Sequence, residues 1–257
     1  LLLFKIVLAP ILIAAVSLAG RKWGPTVAGW LLGLPLTSAP VLLFLSLEQG
    51  PQFASQSARG SMLGLLAWAA FNFVFAATCL KLNWWQSTLI GWIAYFIVAA
   101  LLLPVALKIG WVCLVVVAVL FLMLWFFPRT TELPETGRGK YDLWFRMASA
   151  SGMVLLITAI ARMLGATATG ILTAFPAYST ILAVFSHRQH PQAAIHVLKG
   201  VTAGLYTAAA FFLALSLALS RLSVGWSFAV AAAAALPVQM GSLVYLRIGR
   251  SGDLVIE

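Results

Sequence analysis

Apolar residues in this chain come in long runs with few polar breaks. Stretches of about 20 residues, the length that carries a helix across roughly 30 Å of hydrocarbon, lie at 2–19, 26–47, 61–80, 84–106, 109–127, 143–163, 166–186, 193–219 and 223–246. Strict alternation, the mark of a membrane β-barrel strand, is missing from runs such as Val112 to Phe127. Lipid offers no hydrogen-bond partner to a bare backbone, so each run is expected to be helical unless protein or a wet cavity shields it. The pattern predicts an all-α membrane protein of about nine transmembrane helices.

The pattern is also written twice. A shift of 141 positions superposes Phe4-Lys5 on Phe145-Arg146, Gly24 on Gly165, Thr26 on Thr167, Gly29 on Gly170, Pro35 on Pro176 and Ser38 on Ser179. After one lost residue the shift becomes 140. Arg59-Gly60 then meets Lys199-Gly200, Gly64-Leu65 meets Gly204-Leu205, and Lys81-Leu82 meets Arg221-Leu222. Matched glycines, prolines and cations in constant register carry weight that matched leucines do not. Each unit holds four spans, and the span at 109–127 has no twin. One unpaired crossing between two four-span units turns the second upside down, a plan common among transporters, whose sites lie where the repeats meet. The alternative is a duplication that merely fused a homodimeric scaffold. The expected organisation is a first four-helix repeat (1–107), a linking helix and cytoplasmic loop (108–140), and a second repeat with a short tail (141–257).

Composition agrees: 63% of the 257 residues are hydrophobic and 9% charged, whereas soluble domains are near half apolar and a quarter charged. The formal charge of +10 is scattered between spans, so nucleic acid is not an expected partner. With nine crossings the 16 Lys and Arg divide 5 against 11, and the richer side is cytoplasmic by the positive-inside rule. That places the amino terminus outside and the carboxyl terminus inside a bacterial inner membrane. Residues 1–20 resemble a cleavable leader, but their counterpart at 144–163 argues for a retained helix. Cys79 and Cys113 read as small hydrophobes.

Chemistry is sparse. The second span and its twin each carry a mid-span proline followed by hydroxyls: Pro35 with Thr37 and Ser38, and Pro176 with Tyr178, Ser179 and Thr180. Proline removes an amide donor and frees a carbonyl one turn back. The helix is expected to kink or break there, and a helix restarting after the break turns its partly positive amino end inward, where anions bind. A kinked packing helix is the plainer alternative. Lys5 and Arg146 are the paired cations near the first and sixth spans, either headgroup anchors or contacts to an anionic substrate. Asn72, between Phe71 and Phe73, reads as interhelical glue or as a ligand contact. No acid is expected inside the membrane, which disfavours carboxylate-driven proton antiport. His187, His190 and His196 lie in or near one cytoplasmic loop without a Cys or acid beside them, so no metal is expected. No nucleophile–base pair, phosphate loop or dinucleotide fingerprint appears, so neither an enzyme nor a cofactor is expected.

Leu3-Phe4-Lys5, Ala28-Gly29 and the Pro35-centred segment, echoed by Thr169-Gly170 to Pro176-Ala177, resemble the GlpM family of small four-span bacterial inner-membrane proteins. The chain looks like two such units joined by one extra helix. Where that family has Pro-Thr, this sequence has Pro35-Leu36 and Pro176-Ala177. The resemblance implies architecture and no defined activity. The expected function is transport or lipid handling: movement of a small or lipid-linked anionic molecule through a site between the repeats. Membrane lipids are the other expected partners. The alternative is a non-catalytic subunit or assembly factor, partnered by further membrane subunits.

Overall fold

The computed structural model describes residues 22–35, 38–105, 107–128 and 165–252, the last eight by backbone alone, with scattered positions at 11–19, 130 and 148. The expected spans at 2–19 and 143–163 and the linker at 129–142 fall almost wholly outside these residues, as do Lys5, Thr37 and Arg146. The described elements are α1 (Pro25–Leu32), α2 (Ser38–Glu48), α3 (Pro51–Thr78), α4 (Trp84–Leu102), α5 (Ile109–Trp125), α6 (Ala166–Thr173), α7 (Ala177–Gln189), α8 (Pro191–Ala218) and α9 (Val224–Gly252). Among the described residues every regular element is helical, and no strand occurs.

Among the described residues five segments are long and apolar enough to cross a membrane: α3, α4, the run through α6 and α7, α8, and Val224–Val244 of α9. The expected span at 109–127 is a shorter apolar helix of 17 residues, α5.

Local chemistry sets the starts. Pro25, Pro51 and Pro191 each open a helix at its first turn, where a missing N–H costs nothing. Gly24 and Gly50 precede two of them at φ 93° and 91°, a backbone region that only glycine enters cheaply. Hydrophobicity alone put the third span at 61–80, and α3 begins ten residues earlier because Gly50-Pro51 supplies the start. The expected loop around His187–His196 shrinks to one residue, His190. His187 ends α7, its Nε2 lies 2.8 Å from the Cys79 carbonyl oxygen, and His196 is inside α8.

The two 28-residue helices, α3 and α8, span about 42 Å each and form the centre of the bundle. Of their apolar windows, 78% and 67% is buried, against 28% for α4 and 22% for α9. They run antiparallel: Ser55 Oγ donates to the Ser216 carbonyl at 2.8 Å, and Asn72 Nδ2 to Thr202 Oγ1 at 3.2 Å. Phe71, Phe75, Leu205 and Phe212 fill the space around them. α4 packs on α3, α9 packs on α8, and α5 lies against both central helices.

The short helices cross over. α1 packs on α8, and α6 packs on α3. Both crossings depend on glycine, because there is no room for a side chain. A Cβ on Gly29 would overlap the backbone of Val197 and Val201, and one on Gly170 would overlap Ser57, Gly60 and Ser61. Gly200 abuts Thr26 and Trp30, and Gly60 abuts Thr167 and Gly170. Gly204 meets Gly33, while Gly64 meets Ala174. Offsets of 141 and 140 carry the Gly29 contacts with Val197 and Val201 onto those of Gly170 with Ser57 and Ser61, Gly200–Thr26 onto Gly60–Thr167, and Gly204–Gly33 onto Gly64–Ala174.

Candidate functional site

Both expected breaks are present. α1 ends at Leu32 and α2 begins at Ser38; α6 ends at Thr173 and α7 begins at Ala177. A broken helix leaves its last carbonyls without amide partners, and at the Pro176 break each of the four is accounted for. Thr173 Oγ1 donates to the Gly170 carbonyl at 2.7 Å. Tyr95 Oη donates to that of Ile171 at 2.8 Å, and the Phe175 amide to that of Leu172 at 3.0 Å. The Thr173 carbonyl accepts from Ser38 Oγ at 3.2 Å. That last bond joins the two breaks, since Ser38 is the first residue after one and Thr173 the last before the other.

The hydroxyls after Pro176 are held from across the bundle. Trp68 Nε1 of α3 donates to Ser179 Oγ at 2.8 Å, and Trp92 Nε1 of α4 to Thr180 Oγ1 at 3.2 Å. Thr180 Oγ1 donates in turn to the Pro176 carbonyl at 2.7 Å. Tyr178 is buried, and its hydroxyl has no partner. Phe175, just before the break, stacks edge-on with Tyr95 at 5.0 Å and lies 5.9 Å from Trp92. A chain of hydroxyls continues into α3: Ser61 Oγ lies 2.9 Å from Thr173 Oγ1, and the buried Ser57 Oγ one turn away has no partner.

The expected residues therefore divide. Ser38, Pro176, Tyr178, Ser179 and Thr180 gather around one junction, and Pro35 sits half-buried at its edge. Asn72 lies one turn beyond Trp68 on α3 and bonds Thr202, leaving its buried Oδ1 without a partner. Thr37, Lys5 and Arg146 lie outside the described residues.

Trp68, Trp92, Tyr95, Ser61 and Thr173 were not expected here. The repeat hides them, because their counterparts are Ala208, Ala232, Ala235, Val201 and Leu32. A search for what the two units share passes over what distinguishes them. The junction is accordingly lopsided, with indoles and a phenol on the Pro176 side where alanines stand on the other.

Among the described residues no acid stands at the junction. Neither α2 nor α7 has an acidic residue in its first turn, so no side-chain charge there offsets the partial positive charge of those amino ends. The arrangement offers two hydroxyls without a partner among the described residues, those of Tyr178 and Ser57, as donors to a ligand. No nucleophile stands beside a base here, and among the described residues no group of His, Cys, Asp or Glu could hold a metal. No family model, curated protein or solved structure matches the chain.

Proposed function

We propose that this chain is a transporter of the bacterial inner membrane, built from two inverted four-span repeats, that moves a small or lipid-linked anion through the junction of its broken helices. The observation that carries the reading is the Ser38–Thr173 hydrogen bond, which brings both breaks to one place. Offset-related glycine contacts support two equivalent units, and the antiparallel run of α3 and α8 supports their inversion. Paired broken helices whose amino ends face a shared site are a recurring device for holding anions at mid-membrane. The carboxyl terminus is assigned to the cytoplasm and the amino terminus to the outside. The likeness of each unit to GlpM proteins belongs to the same reading.

The test is flux in proteoliposomes. Radiolabelled sn-glycerol 3-phosphate reports a small anion, and dithionite quenching of fluorescent phosphatidylglycerol reports a lipid-linked one. Wild type should move at least one of them. Pro35→Ala and Pro176→Ala should each reduce the rate about tenfold, the size of effect expected when a positioning geometry is relaxed. Wild type that moves neither probe, or proline variants that move them at the wild-type rate, would overturn the proposal.

The non-catalytic subunit is the second reading, and α5 favours it. Trp111, Leu114, Phe121, Trp125 and Phe126 are all largely exposed, giving a broad apolar face that a partner helix could cover as well as lipid. Co-purification of one stoichiometric membrane partner, together with absent flux, would select it.

A further inference from the structure

The cations that the repeat pairs are not all at helix ends. Arg59 and Lys199 occupy equivalent positions, and each lies eight residues beyond the proline that opens α3 or α8. Hydrophobic runs left Arg59 in a loop and Lys199 inside a span, and the structure puts both inside the two long central helices, half-buried themselves. At 1.5 Å per residue they stand about 12 Å from the helix starts. The long uncharged stretches of the two helices start just beyond them, at Gly60 and Gly200, so each cation stands at the edge of such a stretch. Because α3 and α8 are antiparallel, the two cations lie toward opposite ends of the central pair.

Among the described residues neither cation has an ion-pair partner. Glu48, the one acid among the described residues, is exposed at the end of α2 and forms no ion pair with them. A half-buried cation with no carboxylate beside it among the described residues is open to an anionic partner. A cation with only an anchoring role would suit the peripheral helices, where lipid headgroups are adjacent. Here the pair stands on the central helices, beside the glycine crossings: Gly60 and Gly200, the next residues, are the ones that abut α6 and α1.

We infer that Arg59 and Lys199 form two equivalent anion-binding positions, one toward each face, that receive the phosphate of a lipid headgroup or of a small phosphorylated molecule. This deepens the transport reading by naming phosphate as the recognised group, and it rests on that reading only for the direction of passage. Arg59 presents a planar fork suited to two phosphate oxygens and Lys199 a point charge, so the two positions differ in strength.

The experiment measures binding, not flux. Full-length protein in phosphatidylcholine bilayers is probed with spin-labelled phosphatidylglycerol, and in parallel by equilibrium dialysis against radiolabelled inorganic phosphate. Wild type should immobilise phosphatidylglycerol in preference to spin-labelled phosphatidylcholine, or bind phosphate. Arg59→Gln and Lys199→Gln should each remove part of the selective signal, Arg59→Gln the larger part, and the double variant nearly all of it. Arg59→Lys and Lys199→Arg should retain most of it. Loss confined to the lipid arm identifies a headgroup as the ligand, and loss in the phosphate arm identifies a free anion.

Lys81→Gln and Arg221→Gln, at the exposed cation pair in the turns after α3 and α8, should leave both arms unchanged. If these controls cost as much as Arg59→Gln and Lys199→Gln, general attraction to headgroups explains the signal and the assignment fails. It fails equally if the double variant binds like wild type. Binding lost in the double variant without any flux in wild type would retain the anion positions and remove the transporter. Flux unaffected by the double variant would do the reverse.

Discussion

Replacing Gly170 with alanine tests the crossing of α6 over α3. The added Cβ would lie 2.8 Å from Gly60 Cα and 2.8 Å from the Ser61 amide nitrogen, and closer still to the Ser57 carbonyl oxygen. All three are backbone atoms of the most buried helix, so no side chain can swing aside. Relief requires the helices to separate by the better part of an ångström, because ordinary contact begins near 3.4 Å. Overpacking of this kind costs about 1–3 kcal/mol, and the upper half of that range applies where both surfaces are backbone. Alanine's helix propensity returns about 1 kcal/mol, leaving a net loss of about 1–2 kcal/mol. Gly29→Ala should lose a similar amount, since its Cβ meets Val197 C at 2.8 Å and the Val201 amide at 2.9 Å. Gly241→Ala is the control: it lies within α9, nothing stands within 4 Å of its Cβ, and it should gain up to about 1 kcal/mol. Thermal unfolding of the purified protein in one detergent ranks the three. Equal melting temperatures for Gly170→Ala and Gly241→Ala would show that α6 and α3 do not touch backbone to backbone.

Other outcomes follow from buried polar groups and from topology. Gln239 of α9 is buried with its Oε1 accepting from Thr207 Oγ1 and its Nε2 without a partner. Because the repeat counterparts are Ala67 and Ala99, the double change Thr207→Val with Gln239→Leu should raise the melting temperature or leave it unchanged. A fall of several degrees would show that the amide is satisfied in the membrane. Tyr95→Phe should cost about 1 kcal/mol, at the low end because the Ile171 carbonyl keeps the Ala174 amide as a second donor; loss of more than 3 kcal/mol would mean that the phenol supports more than this bond. Cysteines placed at exposed Gln52 and at Thr136 should label from opposite sides, with Thr136 cytoplasmic. Labelling of both from one side would break the nine-span arrangement.

The class of this protein was readable from the chain because lipid imposes two crude demands, length and apolarity, and both are sums over neighbours in sequence. The breaks at Pro35 and Pro176 were readable for a similar reason: a missing N–H acts within one turn. The glycines that the 141-residue offset matches in sequence, Gly29 and Gly170, both stand where a helix crossing leaves no room for a Cβ.

Tertiary structure decided which helices are central. α3, α4, α8 and α9 are all apolar enough to face lipid or protein, and hydropathy cannot rank them; only the packing buries α3 and α8 and leaves α4 and α9 outside. It also decided that α1 leans on α8 and α6 on α3. A glycine announces a close approach without naming what approaches. The donors around the junction were beyond reach altogether. Trp68 reaches Ser179 across 111 positions and Tyr95 reaches Ile171 across 76, and each stands opposite an alanine in the other unit. Polar pairing in a dry interior is settled by distance in space, which a linear pattern of apolar residues does not encode.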